Sequence, residues 1–326
     1  MEGRLMAIRT LLTDCLEIEH PIVLAPMGGV AGGRLAAAVS NAGGLGLVGG
    51  GYGDPSWLRT ELGLVVQSTD RPWGVGFITW HATAEAMALA LEYRPRVFML
   101  SFGDPRPWLD RIKAAGCVVI CQVQEVQDAR NAVAAGADMV VAQGTEAGGH
   151  GATRATLPLV PAVVDAVAPT PVLAAGGIAD GRGLAAALML GACGALIGTR
   201  FYGATESLGH PQAKSRLVSA RAGETTRTRI FDVVRGYAWP PGYTGRALRN
   251  RFLERWEGHD ADLAASQEER KRFQAAQADG DFETAMVWAG EGVDLIGGVL
   301  PAAEIVQRIH AQATACLRSA AVFLQN

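Results

Sequence analysis

His150 follows Gly148-Gly149 and precedes Gly151, in a loop that begins Gln143-Gly144-Thr145-Glu146. An imidazole titrates near neutral pH, so it can take or hold a proton where most side chains cannot. Flanking glycines let backbone come close to a flat or anionic ligand. The apolar run over residues 139–142 reads as a fully buried strand of a parallel sheet. Parallel α/β proteins place their chemistry at such strand ends, which makes His150 the candidate base or orienting group. The bland alternative is a loop histidine that only hydrogen-bonds.

Two further strand ends carry ligand-type residues. Ala174-Ala175-Gly176-Gly177-Ile178 closes the seventh apolar run, and Leu196-Ile197-Gly198-Thr199-Arg200 closes the eighth. Loops after the last two strands of a barrel commonly hold a phosphate through backbone N–H groups. Gly176, Gly177 and Gly198 permit close approach there, and Thr199 adds a hydroxyl. Tight turning alone is the competing account. Pro26-Met27-Gly28 ends the first run, where backbone can lie along a flat ring or Met27 can simply pack the core. Gly76 in the third run leaves room for a ligand or marks a bulge.

His81 also falls on the catalytic side and is the second candidate, with a surface role the stronger reading. His20, His210, His259 and His310 have no site context, and no His, Cys and carboxylate cluster has metal spacing. An Arg-rich run over residues 216–255 interleaves Phe231, Tyr237, Trp239 and Tyr243. It suits a lid or subunit interface better than nucleic acid, because Glu224, Asp232 and Glu254 dilute its charge. No Gly-x-Gly-x-x-Gly follows a strand, so a Rossmann dinucleotide site is unsupported.

The elements that must position these groups follow one rhythm. Apolar runs begin near residues 22, 45, 73, 96, 117, 139, 172 and 195, at spacings of roughly 20 to 30 residues, each followed by a helix candidate. Eight such units predict an α/β fold, a (β/α)₈ TIM barrel, over a doubly wound sheet. The alternation fails over residues 203–298, which are expected to form a small, mainly helical substrate or lid domain inserted after strand eight. Residues 1–202 and 299–326 then make the barrel, closed by an amphipathic helix over residues 301–324.

Composition agrees. The 326 residues are 49% hydrophobic and 19% charged, with a net charge of −3, so a large core is available and nothing global invites nucleic acid or an anionic membrane. The five Cys (15, 117, 121, 193 and 316) have no zinc-like spacing; Cys117 and Cys121, four apart, should share one strand face. Residues 1–14 lack a leader-like apolar run and no long apolar stretch reads as membrane-spanning, so a cytoplasmic setting is expected. The reading admits a homodimer.

Several stretches together resemble the nitronate monooxygenase (2-nitropropane dioxygenase) family: Ala25-Pro-Met-Gly28, residues 35–46, Gln143-Gly-Thr-Glu-Ala-Gly-Gly-His150, residues 175–183, Gly198-Thr-Arg-Phe201 and Val287-Trp-Ala-Gly-Glu-Gly292. The resemblance implies an FMN-dependent TIM barrel that oxidises alkyl nitronates or nitroalkanes with O₂ to a carbonyl compound and nitrite. It implies FMN contacts from Met27, Gln143, Gly148, Gly177, Leu196, Ile197, Gly198 and Thr199, with His150 as base; the strand ends add Pro26, Gly28, Gly76, Gly149 and Gly176 as candidate cofactor-binding residues. Many members carry Asn at the position of Gly76; here that contact is lost or replaced by water or backbone. Flavin-dependent enoyl-acyl-carrier-protein reductases share most of these motifs, including Glu206-Ser207 before His210-Pro211, and quinone reductases are related. An NAD(P)H-dependent FMN reductase is thus the alternative activity, with NAD(P)H binding transiently over the flavin. A flavin-free scaffold on a degenerate barrel is the third reading.

Overall fold

The computed structural model describes residues 7–221, 223–320 and 322. Its strands are β1 (Ile22–Leu24), β2 (Gly46–Gly51), β3 (Trp73–Ile78), β4 (Val97–Ser101), β5 (Val118–Val123), β6 (Met139–Gln143), β7 (Gly149–Gly151), β8 (Val172–Ala175), β9 (Gly194–Ile197), β10 (Thr225–Thr228) and β11 (Thr244–Leu248). Eight of them pair in parallel in the order β1-β9-β8-β6-β5-β4-β3-β2. The ring closes where Val23 bridges Leu45, with Leu24 N donating to Leu45 O and Leu45 N donating to Ile22 O, both at 2.9 Å. This is the predicted TIM barrel, with β8 and β9 as its seventh and eighth strands.

Period-two alternation divides each strand between two apolar layers. Val23, Leu47, Met99, Ile120, Val141, Leu173 and Leu196 fill the barrel interior. Leu24, Val48, Val75, Val119, Val140 and Ile197 face the surrounding helices. Cys117 and Cys121 both belong to that outer layer, where burial pushes the Cys121 thiol up to about 12. They are free, buried small apolar residues.

Local signals set the helix limits. Asp54, Thr83 and Asp180 side chains cap helices Pro55–Ser68, Ala84–Glu92 and Gly181–Met189. Gly136, left-handed at φ 111°, ends helix Val126–Ala135. The last helix runs Ala302–Ser319 and buries Ile305, Val306, Ile309 and Ala313 against its neighbours. The expected end at Leu324, like residues 1–6 of the N-terminal stretch, lies outside the described residues.

The insertion holds helices Pro211–Ser219, Ile230–Arg235, Arg251–Trp256, Asp260–Ala265 and Gln267–Asp279, with a core of Phe231, Phe252, Leu253, Leu263 and Phe273. It also holds something the sequence reading does not contain. β10 and β11 form an antiparallel hairpin, and β11 pairs onto β7, with Gly245 opposite His150. The insertion is therefore stitched by backbone hydrogen bonds to the loop that carries the candidate base.

Candidate active site

The loop after β6 starts from Gln143, which is only 7% exposed. Gln143 Oε1 accepts from the side-chain amides of Gln122 (2.9 Å) and Gln124 (2.8 Å), and its Nε2 donates to the His150 carbonyl (3.0 Å). One amide proton of Gln143 is left for a ligand. Gly149 sits at φ 71° with nothing within 4 Å of where a Cβ would stand, so this turn both needs glycine and opens a gap.

Two arginines of the insertion fix the loop further. Arg227 donates to Thr145 Oγ1 (2.8 Å), to the Thr145 carbonyl (3.0 Å) and to the Gly151 carbonyl (3.1 Å). Arg246 donates to the same Thr145 carbonyl at 2.9 Å and pairs with Glu291. Burial, reinforced by Arg246, pulls the Arg227 guanidinium down to about 10.

The His150 imidazole is buried. Its Nε2 lies 2.8 Å from Asp232 Oδ2, a carboxylate of helix Ile230–Arg235. Side-chain exposure is 9% for the histidine and 5% for the aspartate, so this pair is shielded from solvent. Trp239 lies flat on the imidazole, with centroids 3.5 Å apart and planes within 6°. Burial lowers the His150 pKa below its usual value, partly opposed by the hydrogen bond that the ring donates to Asp232. The ring is consequently neutral near pH 7 and able to accept a proton.

Trp239 also links the insertion to the barrel mouth. Its indole N–H donates to Tyr52 Oη at 3.1 Å, and Tyr52 stacks on Tyr237 with centroids 4.0 Å apart. Trp80, Phe102 and Tyr243 surround Trp239 edge-on. Beyond Tyr243 a cavity of about 660 Å³ lies between the ends of β4 and β5 and helix Val126–Ala135, walled by Cys121, Asp128, Asn131 and Ala135 on the outer side of the barrel and touching Gln122 and Gln124.

The phosphate-type ends of β8 and β9 converge with the His150 loop through the segment 289–292. Gly148 is in close contact with Ala289 and Gly290, the Gly290 amide donates to Thr199 Oγ1 (3.0 Å), and Gly292 packs on the Gly177 carbonyl. Among the described residues the amides of Gly177, Ile178, Gly198 and Thr199 donate to no protein acceptor. Four free N–H groups at two adjacent glycine turns form an anion-shaped cradle. A Cβ on Gly198 would stand 3.4 Å from Ala25 and 3.6 Å from Met27 Sδ, so Met27 borders the same space. These residues fit a flavin phosphate and ring.

Other expected contacts fall elsewhere. Ile197 points outward into the helix layer, so only its backbone can face a ligand, whereas Leu196 points into the barrel. The space in front of Gly76 is filled by the Pro26 ring, which a Cβ would meet at 2.3 Å. Gly28 borders Gly51, and Gly176 lies over Thr156 and Gly144. His81 is exposed and bonds the Tyr52 carbonyl through Nδ1 (3.0 Å), and His210 caps its helix, accepting from Gln212 N (3.2 Å). Among the described residues no His, Cys and carboxylate group could hold a metal, and no helix is long and apolar enough to cross a membrane.

Sequence reasoning missed Asp232, Arg227 and Arg246 as site residues. Asp232 stands in an Arg-rich run and reads there as charge dilution. The usable signal was the pair of short Thr-containing runs around it, which mark a hairpin.

Comparison with known proteins agrees with this fold. The nitronate monooxygenase family profile matches residues 9–312. The chain is 39% identical over 255 residues to a Mycobacterium tuberculosis protein named (3aS,4S,5R,7aS)-5-hydroxy-7a-methyl-1-oxo-octahydro-1H-indene-4-carboxyl-CoA dehydrogenase, spanning 77% of this chain and 69% of that one. It is 34% identical to a nitronate monooxygenase of Neurospora crassa, over 90% of this chain and 89% of the relative. FabK from Thermotoga maritima superposes with a TM-score of 0.87 at 35% identity, covering 97% of this chain and 99% of that structure. The chain belongs to the nitronate monooxygenase family and is a flavin-dependent oxidoreductase.

Proposed function

We propose that the chain is an FMN-dependent oxidase of alkyl nitronates and nitroalkanes, consuming O₂ and yielding a carbonyl compound and nitrite. The observation that carries this reading is the buried imidazole of His150 held by Asp232, on a loop that meets the free-amide turns through segment 289–292. Residues 203–298 act as the lid over a barrel made by residues 1–202 and 299–326. When bound, the flavin supplies the electron chemistry and the meeting point with O₂.

The chain's own residues do the rest. The amides of Gly177, Ile178, Gly198 and Thr199 hold the phosphate, and Met27 with the free amide proton of Gln143 borders the ring. A carboxylate only accepts, so the Nε2 proton of His150 stays on the ring and its other nitrogen, Nδ1, is the base. That nitrogen takes the Cα proton of a neutral nitroalkane; a nitronate arrives already deprotonated and needs no base. Trp239 covers one face of the imidazole and keeps water from it.

A second reading is NAD(P)H-dependent reduction of an enoyl thioester or quinone. The 35% identity to FabK over 97% of this chain supports it. Anaerobic mixing of the yellow protein with NADPH and, separately, with propyl-2-nitronate decides between them. Loss of yellow absorbance with the nitronate alone is the expected result; rapid loss with NADPH alone would give the second reading the site. A colourless protein that takes up no FMN would remove both.

The cradle has its own test. Gly177 has φ 72°, and a Cβ there would stand 3.3 Å from the Glu146 side chain. Gly177→Val should therefore cost about 1–2 kcal/mol in backbone strain and crowd the phosphate. Flavin should be lost on gel filtration, with Gly177→Ala intermediate. Full flavin occupancy in the valine variant would count against the assignment.

A further inference from the structure

We propose that a cavity of about 320 Å³ outside the barrel wall binds a small organic anion through the Arg200 guanidinium. The cavity lies between the turn after β9, the segment 295–300 and the last helix. Arg200 enters it from the short helix Thr199–Tyr202, and Arg308 and Gln312 face it from the last helix. Leu295, Leu300 and Ile305 make its apolar walls.

Arg200 is only 6% exposed and forms no ion pair among the described residues. One terminal nitrogen donates to the Gly298 carbonyl at 3.0 Å; the other, Nη1, has no acceptor. A buried cation with no carboxylate in contact is costly, because it has lost water; the nearest opposing charge, Glu304, only partly offsets this. Burial, with Arg308 adding in the same direction, lowers the Arg200 pKa. The acidic groups nearby are already committed. Asp180 accepts from the Arg182 guanidinium (2.8 Å) and two helix amides, and Glu304 is paired with Arg308.

Gln312 Oε1 accepts from Gly181 N at 2.8 Å, so what it still offers the cavity is its N–H₂ end. The space is thus lined by two guanidinia, an amide donor and the Asp180 carboxylate, which is already bonded to Arg182, against apolar walls. That combination fits a carboxylate or phosphate, through the planar fork of arginine, on a short apolar body. Arg308, at the solvent edge with a side chain 66% exposed, marks the entrance. The cavity contains neither His150 nor the four cradle amides, although Ala179 and Arg200 follow Ile178 and Thr199 in the chain, so absence of anion binding there would leave the proposed function untouched.

Calorimetric titration of the flavin-loaded protein with sodium octanoate and, separately, inorganic phosphate tests it, at matched chloride. Loading with flavin fills the cradle and removes it as an alternative phosphate site. Saturable one-to-one binding is expected, weakened about tenfold by Arg308→Gln, the scale of one charge-assisted hydrogen bond. It should be abolished by Gly297→Trp, which fills the entrance from an exposed position with open space around it. Neither variant disturbs a buried group, so loss of fold does not confuse the result. Octanoate binding alone identifies a carboxylate ligand, and phosphate binding alone a phosphoryl one. No heat with either anion up to about 10 mM, or binding unchanged in both variants, would overturn the proposal.

Discussion

His150→Ala is expected to lower turnover of neutral nitroalkanes by about 10²–10⁴-fold, the usual contribution of a positioned general base. Oxidation of the pre-formed nitronate should fall far less, since the proton is already gone. The split between the two substrates is the decisive measurement, because a merely damaged site would lose both. The substitution also strips Asp232 of its hydrogen bond, leaving a buried carboxylate whose next cation, Arg235, is 3.7 Å from its other oxygen. An unpaired buried group of this kind costs about 1–3 kcal/mol, so some loss of thermal stability is expected beside the kinetic one. His150→Gln, which restores a donor to Asp232, separates the two effects: stability should recover and nitroalkane turnover should not. Equal activity of the alanine variant on both substrates would remove His150 from the chemistry.

What the sequence made legible here was set by local physics. Each barrel strand is a short, largely apolar run, several of them ending at glycine, and helices Gly33–Asn41, Pro55–Ser68 and Val126–Ala135 are delimited by capping residues and breakers that act within a turn. The pairing of β11 with β7 was not legible, because β7 is three residues, two of them glycine, and carries no strand signal of its own. Its register exists only because the hairpin, ninety residues later in chain order, supplies hydrogen-bond partners. The same distance hid Asp232. Nothing near residue 232 indicates a histidine, and nothing near residue 150 indicates a carboxylate; tertiary packing alone brings them to 2.8 Å. Gly76 shows the converse. Its departure from many relatives was visible, but its consequence, a Pro26 ring standing in the vacated volume, depends on how β1 and β3 face each other.

Asp232→Asn is the variant whose outcome follows most directly from that packing. Burial depresses the His150 pKa and Asp232 opposes the depression, so removing the carboxylate should lower the pKa further. The base is present only above that pKa and is lost as pH falls through it. In the wild type the acid limb of kcat/KM on neutral nitroalkanes should therefore lie below the ordinary histidine range, and in the variant it should move lower still. The plateau rate should drop by about 10²-fold, because a weaker base with an unfixed tautomer accepts the proton less well. These two changes run in opposite senses, a wider pH range with a lower ceiling. A purely structural defect produces the second without the first. Asp232→Glu should recover part of the plateau and return the limb toward its original position. Nitronate oxidation should remain close to wild type throughout. A limb that stays in place in Asp232→Asn would mean that the carboxylate anchors the lid and does not act through the imidazole.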